Sequence, residues 1–273
     1  MWLHVEPTTR CNAHCPGCAR NNEGYGVADG LVIEDLDPAR LAAVIREYSI
    51  SSVQLCGNLG DPCAAKNIDL LLDSLDTITT LQIHTNGSLR KPEWWAGLVD
   101  RFRHLQQFDV WFALDGTGDV HSYYRQGTSY ERTIENARAF IDAGGRAVWQ
   151  FIPFAHNEHQ ITECIKLSQR LGFKRFEFVR NANYEPRSRH YRTGLPLDIR
   201  PWSQNDRFNA RDKRGNSVAV RACMHLNIPS IFLSANGVVA PCCYMANTPV
   251  TEVDIRAEFA SGAYRPICTR SCG

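Results

Sequence analysis

The sequence predicts an α/β fold, a parallel sheet of six βα units forming a partial (β/α)6 TIM-like barrel, followed by a small cysteine-rich C-terminal domain. Three observations predict it. Short β-rich runs alternate with segments of helical period. Polar motifs recur directly after those runs. The eleven cysteines of this 273-residue chain gather mainly toward its two ends.

The six strands are read at Leu3 to Glu6, Val53 to Cys56, Leu81 to Thr85, Val110 to Leu114, Val148 to Ile152 and Phe176 to Val179. Each is short, as strands buried in a parallel sheet tend to be. Asp37-Pro38 is a cap followed by a first-turn proline, and Leu41, Val44, Ile45 and Tyr48 share one helical face beyond it. Ser129 and Asn157 are candidate caps of later helices, and Gly144 and Gly172 suit C-terminal ends. In such a barrel the loops after the strands build the active face. Four polar motifs fall there: the loop carrying Cys11, Gly57 to Pro62, Asn86-Gly87 and Asp115-Gly116.

Domain boundaries follow from shifts in composition. Residues 1–180 form the barrel, 181–221 an Arg-rich linker and 222–273 the cysteine-rich domain. Residues 180–221 carry nine Arg and one Lys against four acids, which reads first as a solvated tether and second as a face for an anionic substrate. A hairpin is expected from Ile231 to Ala240, turning at Asn236-Gly237. No repeat or low-complexity tract interrupts this plan.

Composition excludes some partners. The formal charge is +1 with 44% apolar residues, so nothing global points to nucleic acid or an anionic membrane. No segment approaches a membrane span, and the N-terminus lacks a basic stretch leading into an apolar run. The chain reads as soluble and cytoplasmic. Many cysteines in a reducing compartment point to metal ligands rather than disulfides.

Cys11, Cys15 and Cys18 have C-x3-C-x2-C spacing on a loop after the first strand. A 4Fe-4S cluster takes four thiolates, so three leave one iron open to a small ligand. The competing reading is zinc, which usually closes with a fourth ligand, and His14 inside the x3 gap is awkwardly placed to supply it. The motif resembles that of the radical S-adenosylmethionine (SAM) superfamily. That resemblance implies that the open iron binds the amino and carboxylate groups of SAM. One electron then cleaves SAM to a 5'-deoxyadenosyl radical that abstracts hydrogen from a substrate. It also implies a reductant such as a flavodoxin or ferredoxin.

The landmarks that follow agree with this resemblance. Gly57, Asn58, Gly60 and Asp61 are similar to the family's glycine-rich segment, whose backbone and closing acid contact the SAM amino group; here the acid is an aspartate, one methylene shorter than the usual glutamate. Thr85-Asn86-Gly87 resembles the family's Thr-Asn-Gly. Asp115, with His121 and Arg125 beyond it, matches a subgroup pattern in which this region contacts the SAM ribose and carboxylate, and Arg125 is the candidate for the carboxylate. Gln150 could offer the ribose a hydrogen bond or satisfy backbone groups. Two departures stand out: Gly17 occupies the position where many members place an aromatic against the adenine, and Ala113 stands where the subgroup often has Ser.

A second set is Cys223, Cys242, Cys268 and Cys272. Thirteen residues, Gly237 and four residues separate Cys223 from Cys242, a spacing similar to the opening of SPASM and twitch auxiliary-cluster domains. The resemblance implies a second 4Fe-4S cluster in a short twitch-like form. Cys243 rivals Cys242, and a structural zinc site is the alternative.

The functional expectation is a radical SAM enzyme that abstracts hydrogen from a peptide or small molecule, with net oxidation or crosslinking as the outcome. The N-terminus shows no leader-binding domain, which weighs against a peptide without removing it. Modification of a nucleotide or nucleic acid is a less favoured alternative, and a non-catalytic zinc or iron-sulfur binding module is the rival from another class. His121, Asp119, His190 and Tyr191 are all conceivable general bases.

Overall fold

Six parallel strands run through the barrel half of the chain, in a computed structural model that describes residues 1–21, 26–179, 188–203 and 230–246. They are β1 (Trp2–Val5), β2 (Ser52–Cys56), β3 (Thr80–Thr85), β4 (Gln107–Ala113), β5 (Arg146–Phe151) and β6 (Arg175–Phe178), each at its expected place with ends shifted by up to three residues. Spatial order follows chain order from β1 to β6, and every neighbouring pair is parallel. The helices between them are α1 (Pro38–Glu47), α2 (Ile68–Asp73), α3 (Pro92–Arg101), α4 (Gly118–Tyr124), α5 (Tyr130–Asp142) and α6 (Ile161–Arg170).

Local chemistry sets the helix ends. The Asp37 side chain accepts from the Ala39 N–H with Pro38 opening α1, and Ser129 accepts from the Arg132 N–H at the start of α5. Gly144 and Gly172 both take positive φ, the left-handed conformation that ends α5 and α6. Asn157 behaves differently from the expected cap. Its Oδ1 accepts from the Phe154 N–H, while its Nδ2 donates to the carbonyls of Asp115 and Ile152. It ties the loops after β4 and β5 together, because three backbone groups of those turns need partners in a buried place.

Burial alternates along β2 and β3, so one sheet face is buried and the other is only partly so. Leu3, Val53, Leu81 and Phe108 share a register row on the buried face, as do Val5, Leu55, Ile83 and Val110 after a two-residue step. They pack with Leu41, Val44, Leu71, Trp95 and Phe140 from the helices in one core. Each large side chain buried there contributes about 1.5–3 kcal/mol. The opposite face carries His4, Gln54, Gln82 and Asp109 in one row and Cys56, His84 and Trp111 in the next. The sheet therefore keeps one largely polar face.

The hairpin lies where expected, with β7 (Ser230–Leu233), β8 (Val239–Ala240) and Gly237 at φ 82° in the turn. Its first strand pairs in parallel with β1, so it extends the main sheet. Ile231 and Leu233 continue the apolar rows through Leu3 and Val5, which explains the docking. Cys223, Cys268, Cys272 and most of the Arg-rich linker lie outside the described residues.

Candidate active site

At the C-terminal ends of β1 to β5 the loops enclose a cavity of about 570 Å³. Ten of the candidate residues line it: Cys11, Cys15, Cys18, Gly57, Asn58, Gly60, Asp61, Asn86, Arg125 and Gln150. Asp115 stands behind them, fully buried. Motifs separated by up to 139 positions in the sequence thus share one space.

The three thiols are held by the loops around them. The Ala13 N–H donates to Cys11 Sγ at 3.3 Å, the Cys18 thiol points to the Asn58 carbonyl at 3.9 Å, and the Arg125 charge acts on Cys15. Burial pushes all three thiols up, Cys15 to about 12; repulsion adds to it, from Asp61 and the other thiolates at Cys11, from Cys18 at Cys15 and from Glu6 at Cys18. Without a bound cation these sulfurs stay protonated, which is the behaviour of buried metal ligands awaiting charge compensation. Among the described residues no group of three His, Cys, Asp or Glu converges tightly enough for a single metal ion. A cluster makes no such demand, since each thiolate binds a different iron, and the donor set fits one with its fourth iron open.

Two glycines shape the loop after β2, and the crowding that demands them comes from the protein itself. A Cβ on Gly57 would lie 1.9 Å from the Gly60 carbonyl oxygen, and one on Gly60 would lie 1.9 Å from the Thr8 carbonyl oxygen. The loop is folded on itself and pressed against the segment that leads from β1 to Cys11.

Asp61 is 4% exposed, and protein donors surround its carboxylate. Oδ1 accepts from the Cys63 N–H at 2.9 Å, Oδ2 accepts from the Asn86 N–H at 2.7 Å, and the Thr85 hydroxyl reaches both. Asn86 passes the order on, donating from Nδ2 to Asn12 Oδ1 at 2.8 Å inside the cysteine loop. Asp61 therefore braces the β2 and β3 loops against the cluster loop.

Arg125 is anchored by Asp115, with Nε donating to Oδ2 at 2.6 Å while Asp115 Oδ1 accepts from the Ile152 N–H. Burial opposes the guanidinium charge, but Asp115 and the Cys15 sulfur outweigh it and raise the arginine further. Arg125 thus forms an ion pair with Asp115 and still lines the cavity. His121 accepts the Asp115 N–H on Nδ1 and is held by burial at about 3, which leaves it a neutral support behind the site. Gln150 lines the cavity with no side-chain hydrogen bond among the described residues.

Sequence reasoning missed two charged residues here. Glu6, 3% exposed at the end of β1, accepts on Oε1 from the N–H groups of Leu59 (2.7 Å) and Gly60 (2.9 Å). Burial lifts it to about 7 despite these donors. Arg20, 8% exposed, donates from Nη1 to the Thr9 carbonyl at 2.6 Å, and its backbone N–H faces the Cys18 sulfur. The available signal was position: one closes a strand at the rim, and the other follows the third cysteine by two residues.

Two further features differ from expectation. Residues 188–203 pack over the cluster loop: Tyr191 stacks on His14 at 4.3 Å, and Ile199 is buried with Ala13, Cys15, Tyr124 and Phe154. This part of the linker is no solvated tether, because it covers apolar surface beneath the cysteines. Cys242 is buried while Cys243 lines the cavity, so the two rivals face different surroundings.

The radical SAM superfamily profile matches residues 5–171. No curated protein matches the chain. Among solved structures, SuiB from Streptococcus suis bound to S-adenosylmethionine aligns with TM-score 0.63 at 15% identity, over 99% of this chain and 67% of SuiB. The anSMEcpe structure with bound AdoMet aligns with TM-score 0.52 at 17% identity, over 68% of this chain and 52% of that one. At these identities the structures attest the fold, whereas the profile covers more than half of the chain and includes all three loop cysteines. The chain belongs to the radical SAM superfamily.

Proposed function

We propose that this protein reductively cleaves SAM and uses the resulting radical to abstract hydrogen from a peptide or small molecule, with net oxidation or crosslinking as the outcome. The observation that carries the reading is the convergence of Cys11, Cys15 and Cys18 with Gly57–Asp61, Asn86, Arg125 and Gln150 on one cavity. A 4Fe-4S cluster held by the three thiolates supplies the electron that breaks the sulfur-carbon bond of SAM.

The chain's own residues do the rest. Asp61, Thr85 and Asn86 fix the loops that carry the cavity walls, and Arg125, kept charged by Asp115, takes the SAM carboxylate. Gln150 offers its free amide to the ribose. Residues 188–203 exclude water from the apolar underside of the cluster loop.

A peptide substrate is supported by the neighbours: SuiB has been solved with the precursor peptide SuiA and anSMEcpe with the Cp18Cys peptide. The second reading, a nucleotide or nucleic acid, rests on the nine arginines of residues 180–221. For the tail we propose a twitch-like domain in which Cys223, Cys242, Cys268 and Cys272 would hold an auxiliary 4Fe-4S cluster, which would supply an electron acceptor for net oxidation. A cytoplasmic setting with a flavodoxin or ferredoxin as donor completes the proposal. No helix among the described residues is long and apolar enough to cross a membrane.

Cys15→Ala is expected to abolish SAM cleavage, while Cys268→Ala spares cleavage and blocks product formation. Anaerobic assays for 5'-deoxyadenosine and product measure both. Full product formation by Cys268→Ala would remove the auxiliary cluster from the mechanism.

A further inference from the structure

The amino-acid end of SAM brings a cation and an anion into the cavity, and the glycine-rich motif nominates Asp61 for the cation. The structure offers another acid. Both Asp61 oxygens are engaged by backbone N–H groups and the Thr85 hydroxyl, so the carboxylate is turned into the scaffold. Arg125, itself paired with Asp115, also lies within electrostatic reach of it.

Glu6 is placed otherwise. Its hydrogen bonds from Leu59 and Gly60 both fall on Oε1, the Asn58 N–H lies close to the same carboxylate, and among the described residues no donor meets Oε2 at full hydrogen-bond geometry. The side chain is 3% exposed and lines the cavity, yet among the described residues it forms no ion pair. A buried carboxylate without a counter-charge is costly, and a cationic ligand in the same cavity removes that cost.

Resting on the SAM-binding function above, we propose that Glu6, and not Asp61, receives the SAM ammonium group. The shorter aspartate serves as a loop brace, and the acid at the end of β1 takes over recognition. An ammonium carries three donors, and a carboxylate that keeps one oxygen unused can accept one of them at full charge. Glu6 then has two duties: Oε1 fixes the backbone of Leu59 and Gly60, and Oε2 reads the ligand.

The test is equilibrium binding to the anaerobically reconstituted protein, comparing SAM with an S-adenosyl analogue that lacks the α-amino group. The native protein should prefer SAM by at least tenfold. Glu6→Gln keeps an acceptor for the loop but removes the charge, and should lower SAM affinity about tenfold while bringing the ratio of the two ligands toward one. Glu6→Asp keeps the charge and should retain most of the preference, which separates charge recognition from loop support. Glu6→Gln with the native preference, or both variants losing it equally, would overturn this assignment alone. A native protein that binds no SAM would overturn the functional reading, and this assignment with it.

Discussion

Replacing Asp61 by Asn tests the brace that joins three loops. Each carboxylate oxygen holds one backbone N–H, that of Cys63 on Oδ1 and that of Asn86 on Oδ2, and Thr85 donates to both. An amide keeps only one acceptor oxygen. Whichever way it turns, its NH2 faces one of the two backbone N–H groups, while the Thr85 hydroxyl can still donate to the remaining oxygen. Losing a charge-assisted bond costs about 1.5–3 kcal/mol, and stranding a buried donor costs about 1–3 kcal/mol. Burial also raises the Asp61 carboxyl above its ordinary value, so a neutral amide recovers part of the desolvation cost. The net expectation is a loss of about 3 kcal/mol, read as a lower urea midpoint with unchanged m-value in the reduced, iron-free protein. Because Asn86 supports Asn12 in the cysteine loop, iron loading should fall as well. A loss below about 1 kcal/mol would refute the claim that Asp61 is a structural hub.

Three further outcomes follow from the same geometry. Gly60→Ala sets a Cβ 1.9 Å from the Thr8 carbonyl oxygen, an overlap only backbone movement can relieve, so it should cost about 3 kcal/mol and weaken SAM binding; a variant with native urea midpoint and affinity would contradict the packing. Asp115→Ala leaves the Arg125 guanidinium buried without its partner and should destabilise by about 3–5 kcal/mol in the same urea assay, whereas near-native stability would show that the pair is dispensable. Glu6 titrates near 7 in the folded chain against an ordinary 4.5, so the stability due to its proton is present below about 4.5 and disappears as pH rises to about 7. Glu6→Gln does not titrate, and its stability relative to the native iron-free protein should therefore rise by about 3 kcal/mol across that window; a flat difference would place Glu6 in a more solvated setting.

The fold was legible because its signals are local. Alternating strands and helices, the Asp37 and Ser129 caps and the Gly237 turn each depend on a few neighbouring residues. The cysteine loop was legible for the same reason, since C-x3-C-x2-C spacing is a local pattern with a specific chemical use. What the sequence hid was non-local. That Gly60 is pressed by Thr8, that Asp61 serves Asn86, and that Glu6 holds Leu59 and Gly60 depend on which loops meet over the sheet. The pairing of β7 with β1 was hidden too, because apolar hairpin residues announce burial without naming the edge that buries them. The arginines drew attention to the charge of the linker, while Ile199 and Tyr191 hold its described part over the site.

The most direct measurement is SAM cleavage by the purified protein, reconstituted with iron and sulfide under anaerobic conditions and reduced with dithionite. The account predicts 5'-deoxyadenosine in the native protein, close to eight irons per chain, and no cleavage in Cys15→Ala. About four irons with cleavage would keep the class and remove the auxiliary cluster. Zinc in place of iron, with no deoxyadenosine formed, would contradict the central claim and leave a metal-stabilised binding module.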